Sequence, residues 1–246
     1  MRVLVLSDIH ANLPALEAVL EDARQFEYEA VWCLGDIVGY GPEPDQCVNQ
    51  VRLLGVTAVM GNHDWAALGG MEIEDFNPEA RQAVIWTRRH LSTENAAWLR
   101  DLPSQPLVNS EFTLTHGSPR DPVWEYILHS SVARVNFDHF TTRFCLVGHT
   151  HVPVLYAWQG GDTRVRAYSV PVGKAVRLDD GWRMILNPGS VGQPRDNDPR
   201  AAYAILDTAE LIWLQRRVPY AIEVTQARMR AVGLPERLIN RLSFGW

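Results

Sequence analysis

Five short apolar runs in this chain end in residues of one chemical kind. Val3-Leu4-Val5-Leu6 leads into Asp8 and His10, Val31-Trp32-Cys33-Leu34 into Asp36, and Val56 to Met60 into Asn62-His63-Asp64. Phe112-Thr113-Leu114-Thr115 leads into His116, and Phe144-Cys145-Leu146-Val147 into His149 and His151. Unbroken apolar runs of this length predict strands covered on both faces. Between the first three runs the period changes. Leu13, Leu16, Leu20 and Ala23 recur at helical spacing behind Asn12, a capping residue, and Pro14, which suits a first turn. A second helix is expected over 45–54. This β-α-β-α-β order predicts parallel strands with the polar residues in the loops at their carboxyl ends, where open α/β sheets usually place their sites.

From Trp65 the pattern loosens. Asn77-Pro78-Glu79 opens a helix to about Leu91, and Ser92-Thr93 start a shorter one ending near Leu102-Pro103, so 65–103 is expected to be a helical cap or lateral wall. Residues 119–130 read as loop or edge and 131–140 as helix. After Val147 the chain turns strand-rich, with strands expected over 152–158, 163–169, 175–178 and 182–187. Gly160-Gly161, Pro171 with Gly173, and Asp179-Asp180-Gly181 separate them as hairpin punctuation. Another hairpin is expected over 201–207 and 211–218 across Thr208-Ala209, then an amphipathic helix over 220–232 and a last segment over 235–242. A parallel α/β half followed by a strand-rich half predicts an α/β fold, a four-layer α-β-β-α sandwich of two mixed sheets face to face with helices outside. No linker, low-complexity tract or repeat interrupts it, so one domain over 1–246 is expected.

Composition narrows the function classes. The formal net charge of -6 over 246 residues argues against a basic nucleic-acid footprint or a polybasic membrane patch. It leaves room for a metal site that binds phosphate locally, because bound ions bring their own charge. No run reaches the ~20 apolar residues of a membrane span, and the N-terminus lacks the pattern of a secretory signal. A cytoplasmic location is expected. Cys33, Cys47 and Cys145 are odd in number and widely spaced, which suits reduced core thiols better than a structural zinc cluster.

Asp8 and His10, like His149 and His151, are separated by one residue, so in an extended exit from a strand both side chains of a pair can point the same way. A single Asp-x-His is ordinarily a polar loop. Recurrence at strand ends with Asp36, Asn62 and His116 makes that reading improbable, since five of the eight histidines (His10, His63, His116, His149 and His151) sit in these positions. Oxygen and imidazole donors without thiolate suit Mn, Fe, Ni, Co or Zn. About seven candidate ligands are too many for one ion with open positions and suit two, which in hydrolases lie ~3.5–4 Å apart.

In these blocks the chain resembles the calcineurin-like metallophosphoesterases. They stand here as Asp8-Ile9-His10, Gly35-Asp36 with Gly39-Tyr40-Gly41, Gly61-Asn62-His63-Asp64, His116-Gly117, and Gly148-His149-Thr150-His151. The later stretch Asn187-Pro188-Gly189-Ser190-Val191-Gly192-Gln193 with Pro194-Arg195 looks like the bacterial phosphodiesterase branch. The resemblance implies one metal held by Asp8, His10 and His151, a second by Asn62, His116 and His149, and Asp36 bridging both. It further implies that a metal-bridging hydroxide attacks phosphorus while His63 stabilises or protonates the leaving oxygen. Asp64 would orient His63, and it can also cap the segment that follows.

One departure bears on the substrate. Protein Ser/Thr phosphatases of this superfamily carry an Arg shortly after the bridging aspartate, whereas Ile37-Val38-Gly39-Tyr40-Gly41-Pro42 has none. That points away from phosphoproteins and toward a phosphodiester or phosphoanhydride, in a small phosphate ester such as a nucleotide. Arg195, Arg120 and Tyr40 are the candidate substrate contacts, with a surface ion pair as the equal alternative for each Arg and loop packing for Tyr40. Core packing is expected for Trp65 and a structural or surface role for His129, and these two are the further residues to test at the cleft. Dinucleoside polyphosphate or phosphomonoester hydrolysis would use the same machinery. A metal-binding scaffold without catalysis is the remaining reading, and His63 argues against it.

Overall fold

The computed structural model describes residues 1–161, 164–178 and 181–246. β1 (Arg2–Leu6) is buried from its second residue on, as its unbroken apolar run requires. It lies between β2 (Ala30–Cys33), to which it pairs in parallel with Val3 opposite Ala30, and β11 (Ala201–Asp207), to which it pairs antiparallel with Val3 opposite Leu206. β3 (Thr57–Ala58), β12 (Ile212–Val218) and β9 (Ala175–Arg177) extend this first sheet to the order β3-β2-β1-β11-β12-β9. The second sheet contains β4 (Leu107–Asn109), β5 (Phe112–Leu114), β6 (Phe144–Leu146), β7 (Val154–Trp158), β8 (Arg166–Tyr168) and β10 (Arg183–Asn187) in the order β4-β5-β6-β10-β7-β8. Both sheets are mixed.

The two-residue period of the strands sorts the core into layers. Val3 and Val5 point inward with Trp32 to meet Phe112, Leu114, Phe144, Leu146 and Trp213, which fills the space between the sheets. Leu4 and Leu6 point outward onto Leu16 and Val19 of α1 (Leu13–Ala23) and Cys47 and Val48 of α2 (Pro44–Leu53). On the far side, Cys145, Tyr156 and Ile185 pack against Ala133 and Phe137 at α6 (Ser130–Asn136). The result is the expected four-layer α-β-β-α sandwich, and Cys33, Cys47 and Cys145 are buried free thiols.

A third apolar cluster stands at the carboxyl ends of the strands. α3 (Asn62–Ala67), α4 (Pro78–His90), α7 (Ile222–Ala231) and α8 (Glu236–Arg241) meet there through Ala66, Ala83, Val84, Met229, Leu238 and Ile239. α5 (Thr93–Arg100), capped by the Ser92 hydroxyl, follows α4. Among the described residues no helix is long and apolar enough to cross a membrane. Asn12 locks three of these parts together. Its Oδ1 accepts from Ala15 N–H at the start of α1 and from the Thr225 hydroxyl of α7, and its Nδ2 donates to Gly192 O.

The strand-rich half departs from the hairpin expectation. β7 and β8 do form a hairpin across Gly160-Gly161. β9, however, leaves for the first sheet and pairs with β12, while β10 returns to lie between β6 and β7. Burial explains this: Met184-Ile185-Leu186 are apolar and buried, which suits a central strand and not a hairpin arm, whereas β9 is largely exposed and suits an edge. The turn expected at Asp179-Asp180 and the strand start at Thr163 lie outside the described residues. β4, an edge strand with Val108 and Asn109 exposed, has too weak a pattern to be foreseen.

Trp213 is fully buried between the sheets and its indole N–H donates to Gln215 Oε1 at 3.3 Å. Trp213→Ala should therefore cost ~3–5 kcal/mol in denaturant unfolding, through lost burial and a cavity that the flanking strands cannot collapse; a cost below about 1 kcal/mol would contradict this packing.

Candidate metal centre

The loops that follow β1 and β2 are zipped together by their backbones. Asp8 N–H donates to Gly35 O at 3.0 Å, His10 N–H to Asp36 O at 2.9 Å, and Ala11 N–H to Ile37 O at 2.9 Å. The chain does not leave β1 extended, as the i, i+2 argument supposed. Asp8, His10, Asp36, His149 and His151 all have φ between 51° and 64°, a left-handed region that non-glycine residues enter at a cost. Asn62 opens α3 directly, so the Asn-His-Asp stretch is the first turn of a helix instead of a strand exit. Gly61 before it lets two backbones touch: a Cβ there would lie 2.1 Å from Asp36 Oδ1 and 2.3 Å from Asp36 N.

These turns bring the seven candidate ligands together, all 2% exposed or less, in two adjoining groups. In the first, His10 Nε2 and His151 Nε2 are 3.1 Å apart, and Asp8 Oδ1 is 3.2 Å from His151 Nε2. The other ring nitrogens fix the tautomers. His10 Nδ1 faces Val38 O and His151 Nδ1 faces Gln193 O, and since carbonyls only accept, both protons sit on Nδ1. Burial drives both imidazoles below their ordinary range, helped at His151 by the Arg195 charge, so both are neutral. Two imidazole lone pairs and a carboxylate oxygen thus face one another in a buried space with no proton between them. A cation fits there.

The second group contains Asp36, His116 and His149, with the Asn62 amide oxygen 3.0 Å from His116 Nε2. His116 Nδ1 donates to Leu34 O at 2.7 Å and His149 Nε2 to Trp124 O at 3.1 Å, which turns His116 Nε2 and His149 Nδ1 toward each other at 3.1 Å. Burial would lower His116, but the Asp36 charge outweighs it and raises the imidazole to about 9. His149 is pushed down by burial and by His116. Asp36 joins the groups. Its Oδ2, buried and without a hydrogen-bond partner among the described residues, lies 3.6 Å from His10 Nε2 and 3.4 Å from His116 Nε2. Burial opposes the Asp8 and Asp36 charges, yet the facing histidines override it and hold both carboxyls well below the usual range. His149 and His151 accordingly enter different groups despite their shared spacing.

Neighbouring side chains hold these ligands in place. Asp8 Oδ2 accepts from the Ser7 hydroxyl at 2.5 Å, and both Asp8 oxygens face His149 N–H. The Asn187 to Gln193 stretch, which carried no assigned task in the sequence, is the scaffold behind them. Asn187 Nδ2 donates to Gly148 O, the Ser190 hydroxyl to Asp8 O, and Gln193 O receives His151 Nδ1.

His63 is buried in a ring of aromatic groups, 5.0 Å from His10, 4.2 Å from Tyr40 and 5.1 Å from Phe76 between centroids. Its backbone N–H donates to Asp36 Oδ1 at 2.8 Å. Burial, only partly offset by Asp36, lowers its imidazole to about 4. The expected Asp64–His63 contact is absent. The Asp64 oxygens accept instead from Val38 N–H at 3.0 Å and Gly61 N–H at 3.1 Å, while His63 Nδ1 has no hydrogen-bond partner among the described residues. As residue N3 of α3, Asp64 points back at the helix start and is a capping carboxylate; burial and Asp36 raise it to about 7.

A cavity of about 550 Å³ adjoins this centre, with Tyr40, Tyr126 and Arg195 on its near side. Tyr40 sits over His10 at 4.6 Å, and Tyr126 stacks on His149 at 3.7 Å. Tyr126 was not foreseen, because nothing in its loop sequence distinguishes it. Arg195 donates to Gln193 Oε1 at 2.9 Å and reaches Tyr40 Oη at 3.4 Å. Arg120 takes the ion-pair alternative. Its guanidinium pairs with Glu125, which also accepts from Ser118 and Asn136, so it braces a loop and does not line the cavity. Trp65 packs over Gly70, and His129 is an exposed residue at the start of α6.

The family model of the calcineurin-like phosphoesterase superfamily domain matches residues 1–211. The chain is similar to an uncharacterized protein of Methanocaldococcus jannaschii, 36% identical over 99% of this chain and 98% of the relative. It is also 29% identical to a symmetrical bis(5'-nucleosyl)-tetraphosphatase of Glaesserella parasuis, over 54% of this chain and 50% of that protein. Among solved structures, a metallophosphoesterase from Sphaerobacter thermophilus is 46% identical and superposes with a TM-score of 0.91 over all of both chains.

Divalent ions that bind the folded but not the unfolded chain should stabilise it, so adding Mn²⁺ to chelator-treated protein should raise Tm. Asp36→Asn and Gly61→Ala should each reduce bound metal at both groups, measured by elemental analysis. Wild-type metal content in either variant would contradict the shared position of Asp36.

Proposed function

We propose that this chain, which belongs to the calcineurin-like phosphoesterase superfamily, is a dinuclear metal-dependent hydrolase of phosphodiesters or phosphoanhydrides. The observation that carries this reading is the pair of buried donor groups sharing Asp36, with His63 beside them. Asp8, His10 and His151 would hold one ion, Asn62, His116 and His149 the other, and Asp36 both. The donor set fits Mn, Fe, Co, Ni or Zn, and Mn²⁺ is the ion to test first. Two such ions supply positive charge to the phosphate oxygens and a bound water acidic enough to act as nucleophile near neutral pH.

The chain's own residues would do the rest. His63 is neutral in the free site, and an incoming phosphate raises its pKa as any adjacent negative charge does. It can then place a proton on the departing oxygen. The Asp36 contact to His63 N–H and the three rings around it fix the position of that imidazole. The Arg195 charge acts on His10, His63 and His151, and this side chain would hold a non-bridging phosphate oxygen with Tyr40 beside it. With no Arg following Asp36, this later loop supplies that charge. The buried free thiols suit a reducing compartment, consistent with a cytoplasmic enzyme. Similarity to a symmetrical tetraphosphatase supports a second reading, hydrolysis of a dinucleoside polyphosphate in the same site.

On bis(p-nitrophenyl) phosphate with Mn²⁺, His63→Ala should lower kcat by ~10²–10⁴-fold while bound metal stays at the wild-type level. Wild-type turnover no faster than the variant would remove the catalytic reading and leave a metal-binding scaffold.

A further inference from the structure

The far wall of the cavity is built from α8 and the turn after it, beyond residue 211 where the family match ends. Arg237, Arg241, Phe244 and Trp246 line it, and Arg195 lines the same cavity. Three guanidiniums therefore line one cavity in a chain whose formal net charge is -6, and among the described residues Glu79 is the one acidic side chain lining it. Arg237 reaches Glu79 at 3.4 Å, largely in solvent. Arg195 has no carboxylate partner among the described residues, its guanidinium donating to Gln193 Oε1 and Tyr40 Oη. Arg241 Nε donates to Trp246 O, which fixes this guanidinium in the wall. Arg241 is moreover held near Arg195, where burial and that like charge lower it to about 10. Three guanidiniums around one cavity repel one another, and a bound anion would offset that.

The aromatic side of the wall is equally placed. Phe244 and Trp246 are 51% and 59% exposed, and their rings stack at 4.7 Å with 22° between planes. Their turn is fixed to the body of the protein. Gly245 is buried, its carbonyl accepts from Asn197 N–H at 2.9 Å, and its φ is +68°. A Cβ on Gly245 would lie 2.7 Å from the Asp198 backbone. Two large exposed rings on an anchored turn, beside paired guanidiniums, match the two chemistries of a nucleotide: a planar base to stack and phosphates to grip in a bidentate way.

We infer that Arg241 with Arg237 and the Phe244–Trp246 stack form a subsite for a second phosphate and its base, which selects nucleotides bearing at least one phosphate beyond the one at the metal centre. This rests on the phosphoesterase reading for its place in a reaction, but its test needs no turnover. Tyr40, Tyr126 and Arg195 lie between the two regions and connect them.

The test is calorimetric titration of ion-free protein with α,β-methylene-ADP and, separately, methylenediphosphonate. The wild type should bind both, the nucleotide more tightly. Trp246→Ala should weaken the nucleotide by ~5- to 100-fold and leave the diphosphonate unchanged, with Trp246→Phe restoring most of the loss. Arg241→Gln should weaken both ligands. Gly245→Ala, which displaces the aromatic turn without touching a charge, should behave as Trp246→Ala does. Thermal unfolding at the wild-type temperature certifies each variant as folded. No binding by the wild type, or equal effects of Trp246→Ala on both ligands, would overturn the subsite. Failure of the aryl phosphodiester assay with these binding results intact would overturn the hydrolase reading alone.

Discussion

The arrangement depends on one electrostatic conflict. His10 Nε2, His151 Nε2 and Asp8 Oδ1 converge in a buried space, and the carbonyls of Val38 and Gln193 commit each imidazole's proton to its opposite nitrogen. Electron-rich atoms held this close without a proton or cation repel one another strongly in a medium of low dielectric. The adjoining group repeats the pattern, with His116 Nε2 and His149 Nδ1 turned toward each other beside Asp36 Oδ2. Both carry the marks of a place shaped for positive charge.

The rest of the fold holds that conflict in place. Five candidate ligands sit in left-handed backbone that would relax if unsupported, so the strain is held by the ladder between the β1 and β2 loops, by Ser7 and Ser190 around Asp8, and by Asn187 beneath Gly148. Both sheets contribute. β1, β2 and β3 end at Asp8, Asp36 and Asn62, while β5 and β6 end at His116 and His149. The inter-sheet core around Trp32, Phe144 and Trp213 sets the distance between these two sets of loops, and so couples packing to site geometry.

Much of this was legible in the sequence because the five apolar runs and their polar ends are local signals. Strand order in the second half was not, because β9 and β10 separate into different sheets for reasons of burial that neighbouring residues do not encode. Asp64 illustrates a finer limit. Its place next to His63 suggested a partner for the imidazole, but as the third residue of a helix its carboxylate turns back to Gly61 N–H. Arg120 could be read equally as a substrate contact or as half of a surface ion pair, and Glu125, five residues on, takes its charge. Tyr126 and the α8 wall reach the site only through tertiary packing.

The most direct measurement is anomalous diffraction from crystals soaked in Mn²⁺. The account predicts two peaks ~3.5–4 Å apart, one among Asp8, His10 and His151, the other among Asn62, His116 and His149, with Asp36 between them. A single peak, or ions bound only outside these residues, would contradict it.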